Sequence, residues 1–271
     1  MSPIEPGAGD VGVGSEILVR AILGVPTVDR GDDLLEVILS SLQRADVALR
    51  DGDVVVVASK IVSRAEDCFV DLSTVEPTAA AKALGLELDK DPPLVELILR
   101  ESESISRRTK GALIVRHRLG FISANAGIDA SNAAPTGAPD DSGPWVLTLP
   151  RNPDATAQGL RGGIAKRCSA DVGVVITDSW GRPFRRGTVG FALGSSGIPP
   201  IWDRRGARDR HGRELESTET ATVDAIAAAA DLVAGQADEG RPLILMRGLR
   251  FEPSSESSQV LLRDPENDLY A

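Results

Sequence analysis

The chain has 271 residues, enough for one large α/β unit or two modest interlocked lobes, with a core that needs no covalent staples. It is 42% hydrophobic but only 3% aromatic, so Val, Ile, Leu and Ala must build that core. Forty Asp and Glu against thirty Lys and Arg leave a net charge of −10, which argues against general nucleic-acid or anionic-membrane binding, since both need a broad positive field.

Residues 1–16 are rich in Gly and Pro and read as a flexible tail; they have no basic start and no apolar run, and no stretch reaches the ~20 apolar residues of a membrane span. A soluble, cytoplasmic protein is expected. Ile17–Ile22 reads as a strand closed by Gly24-Val25-Pro26. A helix follows with Leu34, Ile38, Leu42 and Ala45 on one stripe and Asp32 as its N-cap. Asp51-Gly52-Asp53 turns into Val54–Ala58, an unbroken β-branched run typical of a strand buried on both faces. Ala79–Leu88 and Pro92–Ser102 read as helices, and Ala112–His117 and Leu119–Ala124 as short strands. Ala133–Gly143 is a loop by composition, Val146–Leu149 a strand, and Asp154 a cap for a helix to about Cys168. Val172–Thr177 is a buried strand expected to stop at Asp178. A glycine-rich tract with Gly187, Gly190, Gly194 and Gly197 follows, too irregular for a repeat. Glu219–Ala234 is an alanine-rich helix and Leu243–Met246 the last strand. This alternation without a clean linker predicts an α/β or mixed α+β fold whose lobes share a core. Cys68 and Cys168, far apart and outside any CxxC pattern, read as small buried hydrophobes.

Phosphate-loop, dinucleotide and GxSxG motifs are absent, and the two histidines, His117 and His211, are read as structural. Asn125-Ala126-Gly127-Ile128-Asp129-Ala130-Ser131-Asn132 does stand out, together with a second carboxylate at Thr177-Asp178-Ser179. Two carboxylates beside hydroxyls and amides suit magnesium or manganese bound to phosphates, which take few protein oxygens; equally, Asp129 and Asp178 suit turn caps. Arg182, Arg185 and Arg186, then Arg204, Arg205, Arg208 and Arg210, reverse the sign of an acidic chain locally. They are either an anionic-ligand site or a solvated loop. Lys60 and Arg64, just past the Val54–Ala58 strand, are further candidates for phosphate contact.

Taken in order, several segments resemble the coenzyme F-420-0:L-glutamate ligase family. They are Gly24-Val25-Pro26, Gly31-Asp32-Asp33-Leu34, Asp51-Gly52-Asp53, Ser59 to Glu66, Asn125 to Asp129 with Ser131-Asn132, and Ile176-Thr177-Asp178-Ser179. Gly181-Arg182-Pro183, Gly212-Arg213-Glu214-Leu215, Gly235 to Gly240 and Arg247-Gly248 complete the series, which spans about residues 17 to 250. Each block alone is weak; the ordered series is specific. The resemblance implies a two-lobed mixed α/β fold in an intertwined homodimer, with residues 17–271 as one ligase unit and no C-terminal nitroreductase-like domain. It implies GTP, L-glutamate and a deazaflavin acceptor as substrates, two divalent ions (Mg2+ or Mn2+), and K+ as an activator. By position, Val25, Pro26, Thr27, Val28, Ser59, Arg64, Asn132 and the closing segment Ala234, Gly235, Gln236, Ala237, Asp238, Glu239, Gly240 and Arg241 match GTP contacts. Asp129, Asp178, Ser179 and Gln236 match metal ligands; Asp129, Asp178 and Arg182 are the expected catalytic set, and Arg182, Arg185 and Arg186 the expected acceptor site. Three features depart from the family: Arg64 stands for a usual lysine, Asp67 stands for a usual glycine, and the Ala133–Gly143 loop, which bears on access to the acceptor, is unusual. A non-catalytic nucleotide- or deazaflavin-binding regulator and a metal-dependent phosphohydrolase are the rival expectations.

Overall fold

A computed structural model describes residues 11–139 and 142–267. The first strand, β1 (Val11–Ala21), already contains residues 11–16 of the expected tail; residues 1–10 lie outside the described residues. Helix α1 (Leu34–Arg44) is capped by Asp33, not Asp32: the Asp33 carboxylate accepts from the backbone N–H groups of Leu35 and Glu36 at 3.0 and 3.2 Å. Asp32 instead closes the preceding turn by accepting from the N–H of Asp29. β2 (Val54–Ala58) runs without a break into α2 (Ser59–Ala65), a helix that the sequence did not announce, and β3 (Phe69–Asp71) follows. Next come α3 (Ala79–Leu88), α4 (Pro92–Arg100), β4 (Ser102–Thr109), β5 (Ala112–His117), β6 (Ile122–Ala124) and β7 (Trp145–Leu147). Helix α5 (Pro153–Cys168) is capped by Asn152, and Asp154 turns away to accept from the N–H groups of Ser195 and Ser258. Then follow β8 (Gly173–Arg182), β9 (Arg185–Ser196), β10 (Ile201–Asp203), β11 (Glu219–Ala221), α6 (Thr222–Ala234) and β12 (Leu243–Phe251), and after them two single-turn helices, Ser258–Leu261 and Pro265–Asn267.

The main sheet has the order β1-β12-β2-β8-β9; β2 and β8 are parallel and every other neighbouring pair is antiparallel. Pairing with β12 explains the early start of β1, since Val11 to Val13 face Phe251 to Leu249 across the ladder whatever their composition. Along β2 the side chains alternate between two buried clusters. Val55 and Val57 pack with Ile38, Leu42, Leu160 and Ile164 beneath α1 and α5, while Val54 and Val56 pack with Ile226, Ala227 and Ala230 beneath α6. Each such buried valine is worth roughly 1.5–3 kcal/mol relative to exposure. This two-sided cover explains why β2 reads as an unbroken apolar run. A second group of buried side chains, including Leu84, Leu88, Val95, Ile98, Leu113 and Val115, joins α3 and α4 to the antiparallel sheet β4-β5-β6.

The glycine-rich tract, whose spacing is too irregular for a repeat, falls mostly in strand β9. At Gly190 a Cβ would lie 2.2 Å from the carbonyl oxygen of Ala227 in α6, and at Gly194 2.4 Å from Pro153 in α5. These glycines let both helices press against the sheet. Cys68 is buried as expected, but Cys168 is exposed at the end of α5; both are free thiols. His117 is fully buried, accepts from the N–H of Leu119 and stacks on Phe121, as a structural histidine should. Among the described residues, no helix is long and apolar enough to cross a membrane.

Candidate functional site

The parallel pair stops at Ala58 opposite Thr177. There β2 turns into α2, whereas β8 continues along β9 to Arg182, with a register irregularity between Ile176 and Thr177. Asp178 is therefore inside a strand, not at its end as the sequence suggested. β9 pairs with the other edge of β8 from Val174 to Arg182, so β8 continues where β2 finishes. At this point a cleft of about 130 Å³ opens, lined among others by Ser59, Lys60, Asp129, Asp178, Ser179 and Gln236. Crevices at the carboxyl ends of parallel strands are common ligand sites in open α/β sheets.

On the sheet side, Asp178 accepts from the Ser59 hydroxyl at 2.8 Å and from the N–H of Ser179 at 2.7 Å. Desolvation outweighs these bonds and, with repulsion from Asp129, pushes its carboxyl up to about 6. Asp129 reaches the same cleft from the segment after β6. A one-turn helix, Asn125–Gly127, precedes it, with Asn125 and Ala126 both in the left-handed region (φ 52° and 55°). Such strain at a non-glycine residue persists only where the surroundings over-determine it. Here the Asn125 side chain accepts from the N–H of Leu113 and Ala126 is completely buried. The Asp129 backbone exchanges two hydrogen bonds with Leu147 of β7, at 2.8 and 2.9 Å. Its carboxylate pairs with Lys60 Nζ at 2.7 Å and accepts from both the N–H and hydroxyl of Ser131. Burial works against ionisation of Asp129, yet the bonds from Lys60 and Ser131 prevail and hold the carboxyl below the usual range.

The third wall is the end of α6. The Ser179 hydroxyl donates to the Gln236 side-chain oxygen at 2.8 Å, and the Gln236 amide nitrogen donates to Asp231. Asp129, Asp178, Ser179 and Gln236 thus meet in one cleft, as the resemblance implied. All four offer hard oxygen donors, which suit Mg2+ or Mn2+. Among the described residues no group of three or more His, Cys, Asp and Glu is placed to hold a metal. Two carboxylates plus neutral oxygens nevertheless fit Mg2+, which takes few protein ligands and completes its shell with water and substrate phosphates. The donor set fits the ion.

The other expected residues divide between the cleft and its surroundings. Ser59, Ala234, Gly235 and Arg241 line the cleft, whereas Val25, Pro26, Thr27, Val28, Asn132, Ala237, Asp238, Glu239 and Gly240 do not. Arg64 is buried and faces away from it. Its guanidinium donates to the carbonyls of Val28, Asn132 and Ala134, lies 3.7 Å from Asp29, and covers the Phe69 ring at 4.9 Å. It clamps the Val25–Val28 segment to the Asp129–Asn132 segment, so a fork of donors suits this position where a lysine's single ammonium would not span the carbonyls. Asp67 is in the left-handed region (φ 53°) just after α2, which explains why glycine suits that position. Arg182, Arg185 and Arg186 stand at the far end of the β8–β9 hairpin, exposed and outside the cleft; Arg182 donates to the Arg186 carbonyl. Four residues of strand put Arg182 about 13 Å beyond Asp178. Arg205 is paired with Asp203 and Glu219, and Arg204 covers Trp202. Asp231 lines the cleft unannounced by the sequence, since an Asp within an alanine-rich helix carries no motif.

A mixed α/β fold whose parallel strand ends open on a cleft with carboxylates set among apolar residues is the class defined by these features. The family model for F420-0:Gamma-glutamyl ligase matches residues 23–248, and the chain belongs to that family. It is 44% identical over 245 residues to a Methanopyrus kandleri protein named coenzyme F420:L-glutamate ligase, covering 89% of this chain and 92% of that protein. Identity is 42% over 256 residues to the protein of the same name from Methanothermobacter thermautotrophicus, covering 94% and 98%. For that from Haloarcula marismortui it is 41% over 257 residues, covering 93% and 94%.

Proposed function

We propose that this chain is a GTP-dependent ligase that joins L-glutamate to the lactyl-arm carboxylate of coenzyme F-420-0 through an acyl phosphate, with further γ-linked additions within its range. Relatives bearing that ligase name support the overall reaction. The observation that carries the detail is the convergence of Asp129, Asp178, Ser179 and Gln236 in a single cleft. In the proposed reaction the γ-phosphoryl group of GTP passes to the acceptor carboxylate, leaving GDP. The glutamate amine then attacks the carbonyl carbon, phosphate departs, and an amide remains.

Bound divalent ions neutralise charge on the phosphates during such a transfer. Asp129 and Asp178 would hold one ion, and Ser179 and Gln236 the second. Lys60, already in the cleft on Asp129, is placed to contact a phosphate oxygen. The Arg182, Arg185 and Arg186 hairpin, about 13 Å along β8, would serve the acceptor's distal phosphodiester and not the reacting atoms. Positioning and electrostatics suffice for this chemistry, so no side chain acts as a covalent nucleophile. The potassium ion and the homodimer rest on the family resemblance alone.

The test is incubation of pure protein with GTP, Mn2+, L-glutamate and unglutamylated coenzyme, followed by mass spectrometry. Glutamyl-coenzyme formed one-for-one with GDP is expected. Phosphate release without glutamate or acceptor would mark a phosphohydrolase instead, and nucleotide binding without turnover a regulator.

A further inference from the structure

The cleft contains a third carboxylate that neither the motifs nor the relatives' names single out. Asp231 lies in the last turn of α6, five residues before Gln236, and is partly buried. It accepts the backbone N–H of Gly190 on β9 and the side-chain amide of Gln236. An ionised carboxylate can only accept, so the nitrogen end of that amide must face Asp231 and the oxygen end must face away. The oxygen end meets the Ser179 hydroxyl at 2.8 Å on the cleft wall.

We infer that Asp231 is a positioning residue: by holding the Gln236 amide nitrogen, it fixes the amide oxygen toward Ser179 and the cleft, where a divalent cation would use it. A primary amide has two nearly isosteric orientations. Without Asp231, the donor end is free to turn inward, toward the place of a cation. The Gly190 contact, set by the close approach of β9 to α6, keeps the carboxylate itself from swinging. Partners standing behind metal ligands typically change metal affinity by 10–100-fold. The inference rests on the metal reading of the cleft.

The experiment measures Mn2+ binding by electron paramagnetic resonance on the intact chain, with thermal unfolding of each variant. Asp231→Asn keeps an oxygen for the Gly190 N–H but offers a donor to Gln236, which inverts the amide. Mn2+ affinity is expected to fall 10–100-fold with little change in Tm. In the Gln236→Glu background the sign should reverse. There Asp231→Asn replaces a carboxylate–carboxylate clash with a donor and should strengthen Mn2+ binding, an outcome that a merely structural role for Asp231 would not produce. If Asp231→Asn does not fold, Asp231→Ser takes its place, since its hydroxyl both accepts and donates. Unchanged Mn2+ affinity in Asp231→Asn, or the same loss in both backgrounds, overturns the inference while leaving the metal site intact. If the unaltered chain binds no Mn2+, or Asp178→Asn binds it equally well, the metal reading falls and this inference falls with it.

Discussion

Asp129 and Asp178 face one cleft from different sides, and their surroundings drive their carboxyls in opposite directions. On the side built by residues 125–131, the carboxylate has a cation of its own in Lys60 and two donors from Ser131. On the sheet side, Asp178 has a hydroxyl and one backbone N–H but, among the described residues, no cation in contact, and burial raises its carboxyl to about 6. The same side chain is thus satisfied in one wall and left short of positive charge in the other. On the metal reading proposed above, Asp129 would be held ready by a resident ammonium, and Asp178 would be costly to ionise before an ion bound.

The largest expected effect breaks the sheet side. Asp178→Asn should lower kcat by roughly a hundredfold to a thousandfold, the scale of losing an electrostatic group at a reacting centre. In metal-free protein the same change should raise stability at neutral pH. The native carboxyl titrates near 6 and the unfolded one near 3.8, so the native state holds the extra proton between those values. The resulting destabilisation is absent below about pH 4, grows as pH rises, and is complete above about pH 6, where it amounts to ~3 kcal/mol. Thermal unfolding of both proteins from pH 4 to 8 checks this: the curves should coincide at the acid end and separate toward pH 7. Parallel curves would remove the asymmetry.

Lys60→Met tests the other wall. Loss of the resident ammonium should strengthen Mn2+ binding by a few-fold, since the ion no longer competes for Asp129, while the KM for GTP rises by about tenfold through loss of a charged contact. Titration by calorimetry and steady-state kinetics separate the two effects. Along the sheet side, Arg182→Ala, or its equivalent at Arg185 or Arg186, should raise the acceptor KM by about tenfold and leave GTP affinity nearly unchanged. If all three substitutions preserve acceptor kinetics, the hairpin arginines are a solvated turn. The smallest effect concerns the turn behind Lys60. Asp67→Gly relieves a left-handed φ at the cost of an exposed ion pair with Arg30 and should raise Tm by roughly 1–3 °C, read by calorimetry.

Much of the fold was legible where side-chain pattern and backbone agree. Val54–Ala58, Ala79–Leu88 and Ala112–His117 appear with the boundaries that periodicity assigns. The misses share a physical cause, because tertiary contacts outvoted composition. β4 is polar and its residues are mostly exposed, so no alternation marked it. β9 is glycine-rich because α5 and α6 approach it closely. The helix caps shifted because Asp32 and Asp154 found partners outside their own helices. The ordered resemblance singled out Asp129, Asp178, Ser179 and Gln236, and these four share one cleft. Asp231 was not, because its role depends on a contact with Gln236 that no spacing rule encodes.

The bond between Ser59 and Asp178 spans 119 residues of chain. It forms only when β2 and β8 pair, and a parallel pairing over so long an intervening stretch is among the slowest events available to a folding chain. No fragment ending before β8 contains the cleft, and on the ribosome nearly two thirds of the protein must emerge before Ser59 and Asp178 can meet, with the Gln236 wall later still. Refolding should therefore restore nucleotide binding only with the final cooperative phase, after α3, α4 and the β4-β5-β6 sheet have already closed their local contacts.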